Sequence, residues 1–145
     1  ILKFLIPVRL LRGILPSDAL LTRYARISLA YRPFVEAMRK GDVKQYDELL
    51  FDREQLLARM GTYLTLERAR YVAVRTLLRK TFIVNGKDTK IPIERYRIAL
   101  QLARIPLDMD ATECLLANMI YKGYMRGYLS HERGYLVLSN KDPFP

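Results

Sequence analysis

The side chains able to do chemistry in this sequence are grouped for binding rather than for bond-making. Late in the chain, Arg97, Arg104, Lys122, Arg126, His131 and Arg133 supply cations around one helical segment. Such a ring neutralises phosphates without reading bases, because phosphate contacts position a protein and base-edge contacts specify sequence. Earlier, Arg68, Arg75 and Arg79 are spaced seven and four apart and form one stripe of a helix, which suits an acidic protein as well as RNA. The formal net charge of +10 speaks to partners of this kind and not to the fold.

Catalysis finds little to work with. The chain has one His and one Cys, no Gly-rich phosphate loop and no cluster at metal-ligand spacing. Asp108, Asp110 and Glu113 resemble an acidic site, but helix capping explains Asp110 and Glu113 more simply. Cys114 lies mid-helix beside Leu115 and Ala117, the setting of a small buried or half-buried residue. The reading is therefore no enzyme, no cofactor and no metal. A single cysteine rules out an internal disulfide framework and suits a reducing compartment. No apolar run approaches the ~18 residues of a membrane span, so a membrane is not among the expected partners. The opening Ile1 to Ile6 has a signal-like flavour, but Arg9 and Arg12 interrupt it and no initiator Met precedes it, which reads as a fragment of a longer chain.

The elements that carry the late cations begin with a helix. Leu115, Leu116, Met119 and Ile120 share one face, Asp110 is the expected N-cap with Glu113 in capping-box spacing, and Gly123 stands at the C′ position. The opposite face holds Asp110, Cys114, Ala117, Asn118 and Tyr121. Only Asn118 is a good base reader there and Asp110 repels phosphate, so sequence-specific major-groove readout is not expected. Tyr121 stacks on an unpaired base, or else belongs to the core or to a partner contact. Tyr128-Leu129 and Tyr135 to Ser139 then read as strands, with Ser130 to Gly134 as the turn of a hairpin. Along the last strand Tyr135 and Val137 face away from Leu136 and Leu138. If that strand is an edge, it offers backbone groups and apolar area to another chain, which adds Tyr135 and Val137 to Tyr121 as partner-binding candidates.

Before this lies a run of short helices. Phe4 to Arg12 closes at Gly13, and Ser17-Asp18 caps Ala19 to Tyr24. Pro33 suits the first turn of a helix that ends at Gly41, Asp42 caps the next, and Asp52 with Gln55 predicts a capping box for another through Met60. Thr62 to Val84 runs without Pro or Gly, and Asn85-Gly86-Lys87-Asp88 is the clearest turn. Lys90-Ile91 reads as a short strand, and Pro92 opens a helix with core face Tyr96, Ala99, Leu100 and Ala103. The fold class is mainly α with a small β hairpin: a helical-repeat stack over residues 1–86, then a C-terminal winged helix over 87–145.

That combination resembles the PCI domain, shared by subunits of the proteasome lid, the signalosome and a translation initiation factor. The Ala37 to Val43 step with Tyr46 and Leu49-Leu50 looks like its helix–Gly-Asp–helix repeat. Leu5 to Gly13 with Leu15-Pro16-Ser17, Leu116 to Gly123, Tyr128 to His131 and Asp142 to Pro145 look like one branch of it. The branch contains the PCI subunit of the nuclear-pore transcription-and-export complex and its signalosome-associated paralogue, and both stay open on these motifs. The resemblance implies a nuclear, non-enzymatic scaffold subunit, at nuclear pores in the export branch. It implies pairing with a larger PCI-containing scaffold and a small acidic subunit, the paired winged helices forming a basic platform for RNA or DNA in messenger-RNA export. A pure protein–protein adaptor, signalosome- or splicing-associated, is the alternative, its basic stripes receiving the acidic subunit.

Overall fold

The computed structural model describes residues 2–145, in two compact units, one ending at Thr76 and one spanning Leu77–Pro145. The first unit is helical: α1 (Leu2–Leu11), α2 (Asp18–Arg23), α3 (Ala25–Lys40), α4 (Val43–Asp52), α5 (Glu54–Met60) and the first turns of α6 (Tyr63–Val84). Gly41 ends α3 in the left-handed conformation, with its own N–H bonded to the Met38 carbonyl and that of Asp42 to Ala37. Asp42 then accepts from the Gln45 N–H at 3.0 Å and starts α4, whose Val43, Tyr46, Leu49 and Leu50 are buried as their spacing predicts. Two buried tyrosines tie the layers by hydrogen bonds. Tyr46 donates to the Leu66 carbonyl on α6 while its ring meets Phe34 edge-on at 5.2 Å, and Tyr31 donates to Thr62 Oγ1 at 3.3 Å. Burial pushes both phenols' ionisation upward, so they remain neutral donors.

Two helix starts differ from expectation. Pro33 lies inside α3, which begins at Ala25, rather than in a first turn. A proline there leaves the Leu29 carbonyl without its intrahelical N–H. The Arg53 guanidinium supplies the missing donor, bonding the Leu29 carbonyl and, at 3.1 Å, that of Ala30. Asp52 is no N-cap either: α4 continues through it, and Arg53 joins α4 to α5 with no side-chain cap. The Arg53 N–H still reaches the Leu49 carbonyl, so the helix outlasts the expected boundary by one residue.

The second unit contains the rest of α6, then β1 (Lys90–Pro92), α7 (Ile93–Leu102), α8 (Met109–Tyr121), β2 (Gly127–Ser130) and β3 (Tyr135–Leu138). Among the described residues these strands form one antiparallel sheet in the order β1-β3-β2. Leu136 pairs with Ile91 on one side and Leu129 on the other, and Leu136 and Leu138 are buried while Tyr135 and Val137 are half-buried. Strand, two helices and a two-stranded wing folded onto that strand make a winged helix, so the fold is mainly helical with a small sheet, as the pattern predicts. The condition under which β3 would offer its backbone to another chain, that it be an edge, is not met. β3 is the central strand, paired on both sides, because β1 returns beside it and leaves β1 and β2 as the edges.

The N-cap of α8 is Asp108, not Asp110. Asp108 has extended backbone and its Oδ1 accepts from the Ala111 N–H at 2.7 Å, whereas Asp110 is already in the first helical turn. The other end behaves as expected. Gly123 takes φ +85°, its N–H bonds the Ile120 carbonyl, and that of Tyr124 bonds Met119, a Schellman ending.

The tightest approach in the sheet is at Gly127, where a Cβ would lie 2.2 Å from the Val137 carbonyl oxygen and 2.9 Å from Leu138 Cα. Both are backbone atoms of β3 and cannot rotate aside. Gly127→Ala is expected to destabilise the chain by about 2 kcal/mol, the scale of overpacking. The Tyr96 hydroxyl, by contrast, is buried with no hydrogen-bond partner among the described residues, so Tyr96→Phe removes an uncompensated polar atom and should leave stability unchanged or raised. Urea melts of the two variants check this; a neutral Gly127→Ala contradicts the close-packed register.

Candidate nucleic-acid and partner interface

The outer face of α8 is built as its spacing implies. Asp110, Cys114, Ala117, Asn118 and Tyr121 are all exposed, Tyr121 at 89%. Cys114 therefore corrects the buried or half-buried expectation: it is exposed on the outward stripe. Thr112, Leu116 and Met119 hold the inward side. An exposed face that is largely neutral and ends in a bare tyrosine ring presents little to a phosphate backbone and much to a protein surface. Tyr128, on the edge strand β2, adds a second aromatic that is 63% exposed. Tyr135 and Val137 keep half-buried side chains in mid-sheet, and the Lys90 ammonium lies over the Tyr135 ring, 5.1 Å from its centroid.

The late cations divide into two kinds. Arg97 is half-buried and tied up, because its guanidinium forks onto both carboxylate oxygens of Glu94 and also reaches Gln101 at 3.3 Å. The bond from Arg97 holds the Glu94 carboxyl below its ordinary pKa. His131, in the wing turn, shares a 2.7 Å hydrogen bond with Glu113 of α8. Glu113 thus tethers the wing rather than closing a capping box. Arg104, Lys122, Arg126 and Arg133 are exposed: after α7, at the end of α8, ahead of β2 and in the wing turn. Arg104 has φ +63°, with its N–H on the Gln101 carbonyl and that of Ile105 on Leu100. It occupies the left-handed C′ position that glycine usually fills.

Of the earlier stripe, Arg68 and Arg79 are exposed and Arg75 is half-buried, its guanidinium packed where a side chain at Gly13 would stand. Sequence reasoning passed over an open groove of about 480 Å³ between the last turns of α6 and α7, lined among others by Val84 and Leu102. The available signal was Ile98 and Leu102, an apolar i, i+4 pair on α7 outside its core face.

A helical unit followed in sequence by a winged helix, with an exposed neutral recognition helix, defines an interaction module. Among the described residues, no group of three or more His, Cys, Asp or Glu is placed to hold a metal ion. Among the same residues, no helix is long and apolar enough to cross a membrane. The PCI domain family model matches residues 36–140, and the chain belongs to that family. It is 43% identical over 146 residues to the Protein CSN12 homolog of Schizosaccharomyces pombe, and 37% identical over 146 residues to the PCI domain-containing protein 2 homolog of Drosophila melanogaster. It is also 35% identical over 150 residues to Enhanced ethylene response protein 5 of Arabidopsis thaliana. The chain is covered completely in each case but spans only 34–36% of these relatives.

The wing tether has a pH signature. The Glu113 hydrogen bond raises the His131 pKa, its charge and those of Asp110 and Glu132 add to this, and desolvation opposes it. A histidine raised on folding contributes stability that is complete below its unfolded pKa and lost as pH rises through the folded one. Glu113→Gln is expected to lower the His131 pKa, read from its ring resonances by NMR, and to loosen the wing at acidic pH. An unchanged titration contradicts the tether.

Proposed function

We propose that this chain is the scaffold part of a longer nuclear protein, a non-catalytic protein–protein adaptor. Its winged helix pairs with a second, larger PCI protein in a signalosome-type assembly. The observation that carries the reading is the outer face of α8, neutral and ending in an exposed Tyr121. Tyrosine at the centre of a patch that sheds water is a characteristic anchor of protein interfaces. The relatives named CSN12 homolog fit the signalosome-associated branch of the resemblance. Arg68, Arg75 and Arg79 are assigned to a small acidic subunit. Tyr121→Glu is expected to weaken assembly with the PCI partner at least about tenfold, measured by calorimetry with purified proteins, while leaving the melting curve of the chain in place. Assembly indifferent to Tyr121→Glu overturns the reading.

A second reading, a nucleic-acid platform serving messenger-RNA export, is favoured by one observation. A non-glycine residue in the left-handed region is strained by about 1 kcal/mol, yet Arg104 holds that position and keeps an exposed charge there. Arg104, Lys122, Arg126 and Arg133, all exposed, provide about four phosphate contacts. Affinity for homopolymeric RNA should then fall about a hundredfold between roughly 50 and 200 mM salt. Arg104→Gly should stabilise the chain by up to about 1 kcal/mol and weaken RNA binding at all sequences. Salt-insensitive binding, or no binding at low salt, removes this second reading.

A further inference from the structure

The turn from Asn85 to Asp88 has no role in either reading above. It holds the one Asn-Gly pair of the sequence, since Asn118 precedes Met119 and Asn140 precedes Lys141. An asparagine loses its side-chain amide most readily before glycine, which has no Cβ to shield its backbone nitrogen. In this fold each group that the reaction needs is held by a hydrogen bond. Asn85 directly follows α6, and its Nδ2 donates to the Thr81 carbonyl at 2.7 Å. Its Oδ1 accepts from the Arg95 guanidinium on α7. The Gly86 N–H bonds the Ile83 carbonyl at 3.1 Å, with Gly86 in the left-handed region at φ +74°. Among the described residues, none beyond the chain neighbours comes within 4 Å of where a Gly86 Cβ would stand, so packing does not shield the turn.

We infer that Asn85 is a modification site: a spontaneous deamidation that the folded turn holds back and that opening of the last turn of α6 releases. The Gly86 nitrogen gives up its proton and bonds Asn85 Cγ, the Cγ–Nδ2 bond breaks, and the departing amide takes up a proton as ammonia. Water then opens the cyclic imide at one carbonyl to give aspartate, or at the other to give isoaspartate. One water is consumed and one ammonia released, with no change of oxidation state. Before the first bond forms, Gly86 must leave Ile83, and Asn85 must leave both Thr81 and Arg95. A helix end is where such opening is easiest, because its last carbonyls have no intrahelical partner. The products change the joint between α6 and β1. Aspartate keeps Arg95 as an ion pair but sets a carboxylate oxygen against the Thr81 carbonyl, where a donor stood. Asp88, which lines the same pocket as Asn85 and Arg95, adds a like charge nearby. Isoaspartate lengthens the backbone by a methylene and displaces the bonds from Gly86 and Lys87 to the Ile83 and Phe82 carbonyls. This inference is independent of the adaptor and platform readings.

The test is peptide mapping by mass spectrometry on the full-length protein incubated at neutral pH, folded and unfolded in guanidinium. Conversion at Asn85 should be at least about tenfold slower in the folded protein, because the rate follows the open fraction. Arg95→Ala removes one of the three bonds and should speed conversion in the folded protein about threefold. Because Arg95 is exposed, its variant should keep the parent melting curve, which separates this effect from loss of folding. Asn140, exposed but followed by Lys141, should stay unconverted over the same period. Converted protein should exchange backbone amides faster over residues 82–89, while β3 keeps its protection. Equal rates in folded and unfolded protein, no acceleration in Arg95→Ala, or conversion at Asn85 no faster than at Asn140 in the unfolded protein overturns the proposal. So does unchanged exchange over 82–89 after conversion.

Discussion

The position of β3 at the centre of the sheet is the constraint on which the winged-helix unit depends. Leu136 is fully buried between Ile91 and Leu129, so one residue fixes the register of both neighbouring strands. The same short strand and its turn reach outward by backbone bonds. The Gly134 carbonyl accepts from Ile93 at the start of α7, the Leu138 N–H bonds Thr89 ahead of β1, and that of Ser139 bonds Arg126 after α8. The first joins the start of a helix to the sheet, and the other two hold the segments that lead into β1 and β2. Displacing β3 would therefore move α7, the wing and the exit of α8 together. Gly127 marks how little room this leaves, since β2 passes β3 too closely for any Cβ.

Placing β3 in the middle also decides which surfaces are free. Its backbone is satisfied on both sides, so a partner cannot extend the sheet from it. Among the apolar surfaces the second unit leaves exposed are the Tyr121 end of α8, Tyr128 on the β2 edge and the groove between α6 and α7. The basic residues do not form one field. Arg97 spends its charge on Glu94 and His131 shares a bond with Glu113, while Arg104, Lys122, Arg126 and Arg133 lie at the ends of helices and strands. Exposed cations of this kind are screened within about 8 Å at physiological salt, so they favour encounter more than they hold a complex. Apolar contact at Tyr121 is not screened in that way, which is why it carries the adaptor reading.

Much of this was legible in the sequence because the signals were local. Gly41-Asp42 stops one helix and starts the next, Gly123 ends α8, Asn85 to Asp88 turns the chain, and alternation along Tyr135 to Leu138 assigns inside and outside. The misses were choices between similar local signals, or bonds between distant residues. Asp108 and Asp110 are both good caps, and the earlier one has the extended backbone. Pro33 signalled a helix start, but Arg53, twenty positions on, repairs the carbonyl that it orphans. The order β1-β3-β2 is a tertiary pairing that no strand states by itself. Of the candidate site, Tyr121 was readable from its face, whereas the Glu113–His131 bond spans eighteen positions and the groove needs two helices to exist.

The central claim is that α8 and the β2 edge face a protein when this chain is in its assembly. Hydrogen–deuterium exchange on the full-length protein, alone and bound to the proposed PCI partner, addresses it directly. The account predicts slower exchange on assembly across the Tyr121 end of α8 and through Tyr128, with the centre of β3 already protected in the free protein. Unchanged exchange at both places in a saturated complex, with protection appearing there only when homopolymeric RNA is added, would contradict it.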